Sequence, residues 1–214
     1  MKTDELVVFL ATGVEPVASS ATARRHALAL GAGGVGALLS MLVLLGVRAD
    51  LHAALHLSMF WIKLALPVGI ALGALIASTR LARPGVAVGW LPTVLLTAPV
   101  LGIGLLALHA LNGAVPEARL ALLFGRTWTY CPLLIALLSL PVFVATFWAM
   151  HGLAPTRPAL AGATAGLLAG AVATAVYALH CPEMAAPFLA TWYLLGMAIP
   201  TIVGALLGAR LLRW

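Results

Sequence analysis

Charged residues are scarce in this chain, and their absence from long stretches excludes a soluble globular protein. Only 8% of the 214 residues are charged and 63% are hydrophobic, with a mean hydropathy of +1.11. Apolar stretches of this kind can satisfy their backbone polar groups only in lipid, within helices or closed barrels. Barrel strands alternate in character, whereas these stretches are continuously apolar, so the sequence predicts membrane-spanning helices.

Six apolar stretches are each about 20 residues long, the length that crosses the hydrocarbon core of a bilayer as a helix. The predicted spans cover residues 27–47, 57–79, 89–110, 130–150, 159–180 and 189–209. The sequence therefore predicts an all-α membrane protein, a bundle of six transmembrane helices. Residues 27–214 form this membrane domain, and residues 1–26 precede it as an N-terminal segment.

Basic residues in the predicted loops are distributed unequally between the two sides of the membrane. Placing the N-terminus in the cytoplasm puts eight of them inside, at Lys2, Arg24, Arg25, Arg80, Arg83, Arg157, Arg210 and Arg213. Three lie outside, at Arg48, Arg119 and Arg126. Short cytoplasmic loops are enriched in Lys and Arg, so both termini are expected in the cytoplasm. The basic excess has this topological role, and no direct contact with nucleic acid is expected.

The N-terminal segment carries the pattern of a short helix. Thr3 followed by two acidic residues is typical of a helix N-terminus. The apolar side chains that follow share one face or lie beside it, namely Leu6, Val7, Phe9 and Leu10. Such a helix is too short to be stable alone, so its apolar side chains need the membrane, the bundle or a partner. Two interpretations stay open: a lead-in to the first span, or a peptide that docks on a cytoplasmic protein.

Glycines recur four residues apart in three spans, and prolines lie deep inside four. Small residues at this spacing let helix backbones approach closely in lipid. The glycine rows are Gly69 and Gly73, then Gly162, Gly166 and Gly170, then Gly204 and Gly208. The prolines, which are expected to kink their helices, are Pro67, Pro99, Pro141 and Pro200.

The chain has only two cysteines, Cys131 and Cys181, and each is followed by proline. Cys131 begins the fourth predicted span, where a helix N-terminus favours the thiolate and makes a thiol more reactive. Counted from Pro155 in the next loop, Cys131 is 24 residues away and Cys181 is 26. Their heights in the bundle therefore differ by about 3 Å. Both thiols are expected at the same outer edge, where a disulfide is feasible if they face each other.

Three interpretations of the cysteine pair stay open: thiols that respond to oxidants or metals, a static disulfide, and inert buried thiols. The outer compartment is oxidising, which favours a disulfide. His180 adjoins Cys181, and thiolate with imidazole suits zinc, copper or cadmium. A Cys-Pro pair is also a haem-ligand pattern, which is the least favoured alternative. We expect no required cofactor and at most transient binding of a heavy metal at Cys131, Cys181 and His180.

Lys63 is a charged residue inside a predicted span. It lies about two turns into the second span, where an amine in hydrocarbon is costly unless it reaches water or finds a partner. It can extend to the outer interface. Alternatively it can stabilise a nearby thiolate, or pair with Glu117 or Glu183.

Several motifs together carry a resemblance that extends over essentially the whole chain. They are MKTDEL at residues 1–6, LA at 10–11, PV at 16–17, FWIKL at 60–64, Cys131 ahead of LLSLP at 137–141, APTRP at 154–158, YALHCPE at 177–183 and ATWY at 190–193. With these motifs the chain resembles the NrsF family, six-span anti-sigma factors of the bacterial inner membrane that restrain extracytoplasmic-function sigma factors.

The resemblance implies a regulator rather than an enzyme. It implies that the N-terminal segment holds an extracytoplasmic-function sigma factor at the membrane, away from RNA polymerase. The side chains expected to make this contact are Leu6, Val7, Phe9, Leu10 and Val17. It also implies that Cys131 and Cys181 take part in relieving the hold under heavy-metal or oxidative stress.

Two other functions compete with this interpretation. A membrane thiol–disulfide oxidoreductase is the main alternative, since a cysteine pair at a membrane suits disulfide exchange. It would more naturally carry a Cys-x-x-Cys motif, which the sequence lacks. A small transporter is the second alternative. Its ion path would usually need acidic residues within the spans, yet all six acidic residues lie outside them.

Overall fold

The computed structural model describes residues 3–12, 21–83, 85–153 and 155–213, and all regular structure in these residues is helical. The helices in chain order are α1 (Thr3–Ala11), α2 (Ala21–Leu44), α3 (Leu51–Ala54), α4 (Ser58–Leu81), α5 (Trp90–Gly113), α6 (Pro116–Phe124), α7 (Cys131–His151), α8 (Pro158–Tyr177) and α9 (Ala186–Leu211). Within α9, residues Leu189–Tyr193 form a π-helical turn.

Six of these helices are long and apolar enough to cross a membrane, namely α2, α4, α5, α7, α8 and α9. Each coincides with one predicted span, so the prediction of six apolar helices is confirmed. The largest difference is at the start of α2, which begins at Ala21 rather than at residue 27. A spanning helix needs apolar residues only where it meets hydrocarbon, so Arg24 and Arg25 extend it past the apolar stretch. The predicted boundary between residues 26 and 27 therefore falls inside α2.

α8 lies at the centre of the bundle, packed against α4, α7 and α9. It is the most buried of the six helices: 56% of its most apolar stretch is buried, compared with 11% in α5. α2 packs mainly on α7, and α5 packs mainly on α4. α8 is therefore the helix through which the rest of the bundle is connected, and α5 lies at the edge.

The glycines of α8 allow α9 to lie directly on it. A Cβ atom at Gly162 would collide with the carbonyl oxygen of Gly204, and one at Gly166 would collide with that of Pro200. A Cβ atom at Gly170 would lie 2.8 Å from Cγ of Pro200. The close helix approach predicted from these rows is present at this interface.

Prolines inside the spans face glycines of the neighbouring helix. Pro141 of α7 lies opposite Gly36 of α2, where an added Cβ would be 2.9 Å from Cβ of the proline. Pro99 of α5 lies opposite Gly69 of α4, where an added Cβ would be 2.7 Å from its Cγ. Each glycine thus leaves room for a rigid ring, as in the contact of Pro200 with α8. The helices continue through these prolines, and the expected kinks stay a prediction.

Three connections meet at one end of the bundle, which we name the cysteine end: residues 45–50, 114–130 and 178–185. The imidazole Nδ1 of His180 lies 2.9 Å from the carbonyl oxygen of Gly46. The indole Nε1 of Trp192 donates to the carbonyl oxygen of Leu123 in α6 (2.9 Å). These contacts cross-link connections that are far apart in sequence, so the cysteine end is tied together by hydrogen bonds as well as by packing.

Gly33→Val is expected to destabilise the bundle, because a Cβ at this position would lie 2.6 Å from Cα of Val142 in α7. Overpacking of this kind costs about 1–3 kcal/mol, so the thermal unfolding midpoint in detergent should fall. Gly34 is the matched control, because no atom lies within 4 Å of an added Cβ there. Equal midpoints for Gly33→Val and Gly34→Val would contradict the packing of α2 on α7.

Candidate functional site

The segment between α8 and α9, residues 178–185, holds Cys181 and is named the cysteine loop. α8 ends at Tyr177, whose carbonyl oxygen accepts the backbone N–H groups of His180 (2.9 Å) and Cys181 (3.0 Å). Pro182 has no N–H and disfavours helical geometry in the residue before it. The Cys-Pro pair therefore ends the helix and turns the chain toward α9.

Both thiols are fully buried in one cluster of side chains. Cys131, the first residue of α7, and Cys181 are each 0% exposed, and both are free thiols. They share the cluster with the rings of Tyr177, Phe188 and Tyr193. The structure thus brings together the two cysteines that the sequence predicted at one edge. No disulfide joins them in the structure, and both side chains are out of contact with solvent, so a reagent reaches them only when the packing opens.

Lys63 of α4 is fully buried and does not extend to the surface. Its ammonium Nζ donates to the carbonyl oxygens of Cys181 (2.6 Å) and Glu183 (3.0 Å). It also lies 5.6 Å from the ring centroid of Tyr193, within range of a cation–π interaction. The structure therefore does not show the side chain of Lys63 extending to the outer interface. Backbone carbonyl groups of the cysteine loop accept the hydrogen bonds of its charged group instead. The role of Lys63 as a partner of a thiolate stays a prediction.

Arg48 supplies a second cation to the same carbonyl group. Its Nη1 donates to the carbonyl oxygen of Cys181 (3.2 Å), and its backbone N–H donates to that of Leu179 (3.1 Å). The rest of the guanidinium binds both carboxylate oxygens of Asp50, at 2.6 and 2.7 Å. We name Lys63 and Arg48 together the carbonyl clamp.

The ion pair between Arg48 and Asp50 orients the clamp. The hydrogen bond from Arg48 holds the pKa of the Asp50 carboxyl below its ordinary value of 3.8. The stabilisation from the pair is therefore present above that value and is lost as the pH falls through the lowered pKa. The sequence predicted Arg48 only as a basic residue of an outer loop. The position of Asp50 two residues later was the one feature of the sequence that could have indicated the ion pair.

The carboxylate of Glu183 ties the cysteine loop to the start of α7. Its Oε1 accepts the backbone N–H of Arg126 (2.7 Å) and lies 3.5 Å from Oγ1 of Thr127. Thr127 in turn accepts the backbone N–H of Cys131 through its carbonyl oxygen (3.0 Å). The loop that carries Cys181 is therefore hydrogen-bonded to the turn that precedes Cys131.

The described residues contain no group of three or more His, Cys, Asp and Glu side chains placed to hold a metal ion. His180 is directed by its Nδ1 toward Gly46, and it does not complete such a group with Cys131 and Cys181. Metal binding at these residues stays a prediction, and the two thiols alone are what the structure brings together.

Sequence reasoning missed two tyrosines that complete the cluster. The hydroxyl groups of Tyr177 and Tyr193 are buried and make no hydrogen bond of full geometry with the described residues. Both hydroxyls lie in the buried cluster that holds the two thiols. Tyr193 closes the π-helical turn of α9, and a π turn leaves no pattern in the sequence that would place this ring. π turns often occur at functional sites.

α1, which precedes α2 in the chain, forms a second candidate site. Among the predicted contact residues, Leu6 is 39% exposed, Val7 59% and Phe9 71%. The predicted helix is confirmed as Thr3–Ala11, which contains Leu10. Val17 lies outside the described residues. α1 thus presents apolar side chains that the rest of the described bundle does not cover.

Sequence similarity relates this chain to known proteins. The sequence model of a family described as negative regulator of sigma F, NrsF, matches residues 10–214. The chain belongs to the NrsF family. It is 54% identical over 214 residues to the probable anti-sigma-F factor NrsF of Azospira oryzae, and the match covers 100% of both chains. It is 40% identical over 218 residues to the anti-sigma-F factor NrsF of Caulobacter vibrioides, again over 100% of both. No solved structure matches the chain.

Lys63→Met is expected to destabilise the cysteine end, because the carbonyl oxygen of Glu183 loses its donor while remaining partly buried. Leaving a buried acceptor unpaired costs about 1–3 kcal/mol, so the thermal midpoint in detergent should fall. The matched control is Arg119→Met. Arg119 is exposed at the same end and donates only within its own connection, to the carbonyl oxygen of Ala114 (3.3 Å). If Lys63→Met were as stable as the wild type, the prediction would be wrong. The free energy lost on burying the ammonium would then equal the free energy gained from its hydrogen bonds.

Proposed function

We propose that this chain is an anti-sigma factor that holds an extracytoplasmic-function sigma factor at the bacterial inner membrane through its N-terminal segment. Membership of the NrsF family supports the regulatory role, since both relatives are named as anti-sigma factors. The single observation that carries the docking role is the exposed apolar face of α1, where Phe9 is 71% exposed. A helix of this length gains stability only when its apolar face is covered, and a partner protein supplies that cover.

The proposed topology puts the partner and the thiols on opposite sides of the membrane. The bias of eight basic residues to three favours cytoplasmic termini. α2 ends at Leu44, next to the cysteine end, so its start at Ala21 is about 35 Å away at the rise of an α-helix. α1 therefore belongs with the cytoplasmic side, and Cys131 and Cys181 belong with the periplasmic side.

The proposed signal is a change in the state of the two thiols under heavy-metal or oxidative stress. A thiophilic metal ion replaces the thiol protons and bridges the sulfurs. An oxidant instead takes two electrons, with release of two protons, as the sulfur–sulfur bond forms. Either change alters distances inside a cluster that is packed without exposure. Extra volume in such a core costs about 1–3 kcal/mol and forces neighbouring helices to shift.

α7 offers a path from the thiols to the N-terminal segment. It begins at Cys131, and farther along it packs against α2 at Gly33 and Gly36. α2 is the next described helix after α1, so in this proposal a shift of α7 is passed through α2 toward the docking segment. A metal or oxidant can move this equilibrium only by favouring one packing over the other, and the buried thiols are groups whose surroundings differ between a closed and an opened cluster.

Co-purification from detergent tests the docking role. The full-length chain should retain its candidate sigma factor, and a variant lacking residues 2–12 should not. Phe9→Glu should weaken binding by at least about thirtyfold, since replacing an apolar anchor by a charge at an interface costs about 2 kcal/mol or more. Phe9→Leu keeps an apolar side chain and is the matched control, with affinity near the wild type. Retention of the sigma factor by the truncated chain would refute docking through α1. It would favour the alternative function, a membrane thiol–disulfide oxidoreductase.

Release from the preformed complex tests the sensor role. Cd²⁺ or a thiol oxidant should release the sigma factor from the wild type, and Cys131→Ser and Cys181→Ser should each retain it, because a serine hydroxyl neither binds soft metals nor forms disulfides. A chelator or a reductant should restore binding in the respective experiment. The chain has no other cysteine, so no further thiol can contribute. Unchanged release from both serine variants would refute sensing by these thiols.

A further inference from the structure

Tyr177 and Tyr193 belong to the buried cluster that holds the two thiols, and their hydroxyl groups have no hydrogen-bond partner among the described residues. We infer that these tyrosines are positioning residues of the thiol site, whose hydroxyls donate hydrogen bonds to Cys131 and Cys181 when the sulfurs are in the thiolate form. The inference concerns the thiol site of the proposed function, but it is a statement about thiol chemistry that needs no sigma factor. The thiol proton leaves to water when the packing opens, and each tyrosine keeps its own proton and directs it at sulfur.

Both tyrosines are held firmly in place by separate elements. Tyr177 is the last residue of α8, and Tyr193 closes the π-helical turn in α9. Each side chain is 0% exposed, and the two ring centroids are 6.0 Å apart. Phe188 packs on the second ring at 6.4 Å between centroids. The positions of the hydroxyls are thus fixed by the packing of α8 on α9 and not by hydrogen bonds of their own.

The resting cluster leaves these hydroxyls poorly paired, which is unfavourable. A buried polar group without a hydrogen bond costs about 1–3 kcal/mol, and native proteins keep few such groups. Phenylalanine would fill nearly the same volume without this cost. A thiol is a weak acceptor, whereas a thiolate is charged and accepts a stronger hydrogen bond. The hydroxyls therefore gain full partners only when a sulfur loses its proton, and this difference favours the reactive form.

The charged groups around the thiols already have other hydrogen-bond partners, so the tyrosine hydroxyls are the donors that remain for the sulfurs. Lys63 reaches the cluster from α4, but its Nζ donates to the carbonyl oxygens of Cys181 and Glu183. Arg48, in the connection after α2, donates to the same Cys181 carbonyl and to Asp50. The carboxylate of Glu183 faces the start of α7. The His180 ring lies 5.8 Å from that of Tyr177, but its Nδ1 lies 2.9 Å from the carbonyl oxygen of Gly46. Lys63 and Arg48 add positive charge near the sulfurs, and the tyrosine hydroxyls are the buried donors of the cluster that have no other partner in the part of the chain that the structure describes.

Both hydroxyls lie in the one buried cluster that holds both sulfurs. Removal of either hydroxyl should therefore slow the reaction of the thiols, and only in the pH range where the thiols are mostly protonated. A general loosening or tightening of the bundle would instead change the rate at every pH.

The test measures alkylation of the full-length protein in detergent by N-ethylmaleimide, resolved for each cysteine by mass spectrometry over a range of pH. Tyr177→Phe should slow alkylation of both cysteines about tenfold to a hundredfold near neutral pH, the range expected for loss of one hydrogen bond to a charged group. Tyr193→Phe should slow the alkylation of both cysteines by a similar factor. In each case the rate should recover at higher pH, where the thiolate forms without help. Tyr130→Phe is the matched control, because Tyr130 is exposed and adjoins Cys131.

The outcomes that overturn the inference are distinct from a failure of the proposed function. Rates equal to those of Tyr130→Phe would overturn it. So would equal slowing of both cysteines at every pH in both variants together with a raised thermal midpoint, since that pattern reports slower opening of a better-packed cluster. The sensor role fails instead if the serine variants still release the sigma factor. Slower alkylation of the tyrosine variants near neutral pH would still support the role of the tyrosines in that case.

Discussion

The buried ammonium of Lys63 can remain inside an apolar bundle only while the carbonyl oxygens of Cys181 and Glu183 accept its hydrogen bonds. This requirement determines where the cysteine loop lies, because the loop must present its backbone to α4. Arg48 binds the same Cys181 carbonyl from a different connection, so the loop is held from two sides. The side chain of Cys181 is buried in one cluster with Tyr177 and with Cys131 at the start of α7. The chemistry of the site thus depends on a charge in another helix.

Two kinds of contact hold the bundle, and they occupy different parts of it. Hydrogen bonds from Lys63, Arg48 and Glu183 join separate parts of the chain at the cysteine end, where three connections meet. Along the spans, glycines face prolines or backbone groups of the neighbouring helix, as at Gly69 with Pro99. Contacts between small residues let the helix backbones approach closely without hydrogen bonds between side chains. The proposed sensor would therefore combine a hydrogen-bonded end, where the signal arrives, with closely packed spans that carry it.

The six apolar helices and the juxtaposition of the cysteines were predictable, because span length and helical rise are properties of local sequence. The partner of Lys63 was not, since it is the backbone of a loop 118 residues away and any residue supplies a carbonyl. Tyr193 was missed because its direction depends on a π turn that composition does not reveal. The start of α2 was placed too late because hydropathy marks where a helix meets hydrocarbon and not where its hydrogen bonds begin.

The separation of Lys63 from its partners also bears on the order in which the protein is made. α4 is synthesised well before the cysteine loop exists, so in the proposed membrane protein it enters the bilayer with its ammonium unpaired. A lysine at the centre of a span costs about 2.5–3.5 kcal/mol on insertion scales, and one near the end of a span costs less because it can reach the interface. The apolar residues of α4 offset this smaller cost until α8 and α9 follow. A nascent chain that stops after its first spans therefore lacks the carbonyl partners of Lys63, and only the last hairpin supplies them.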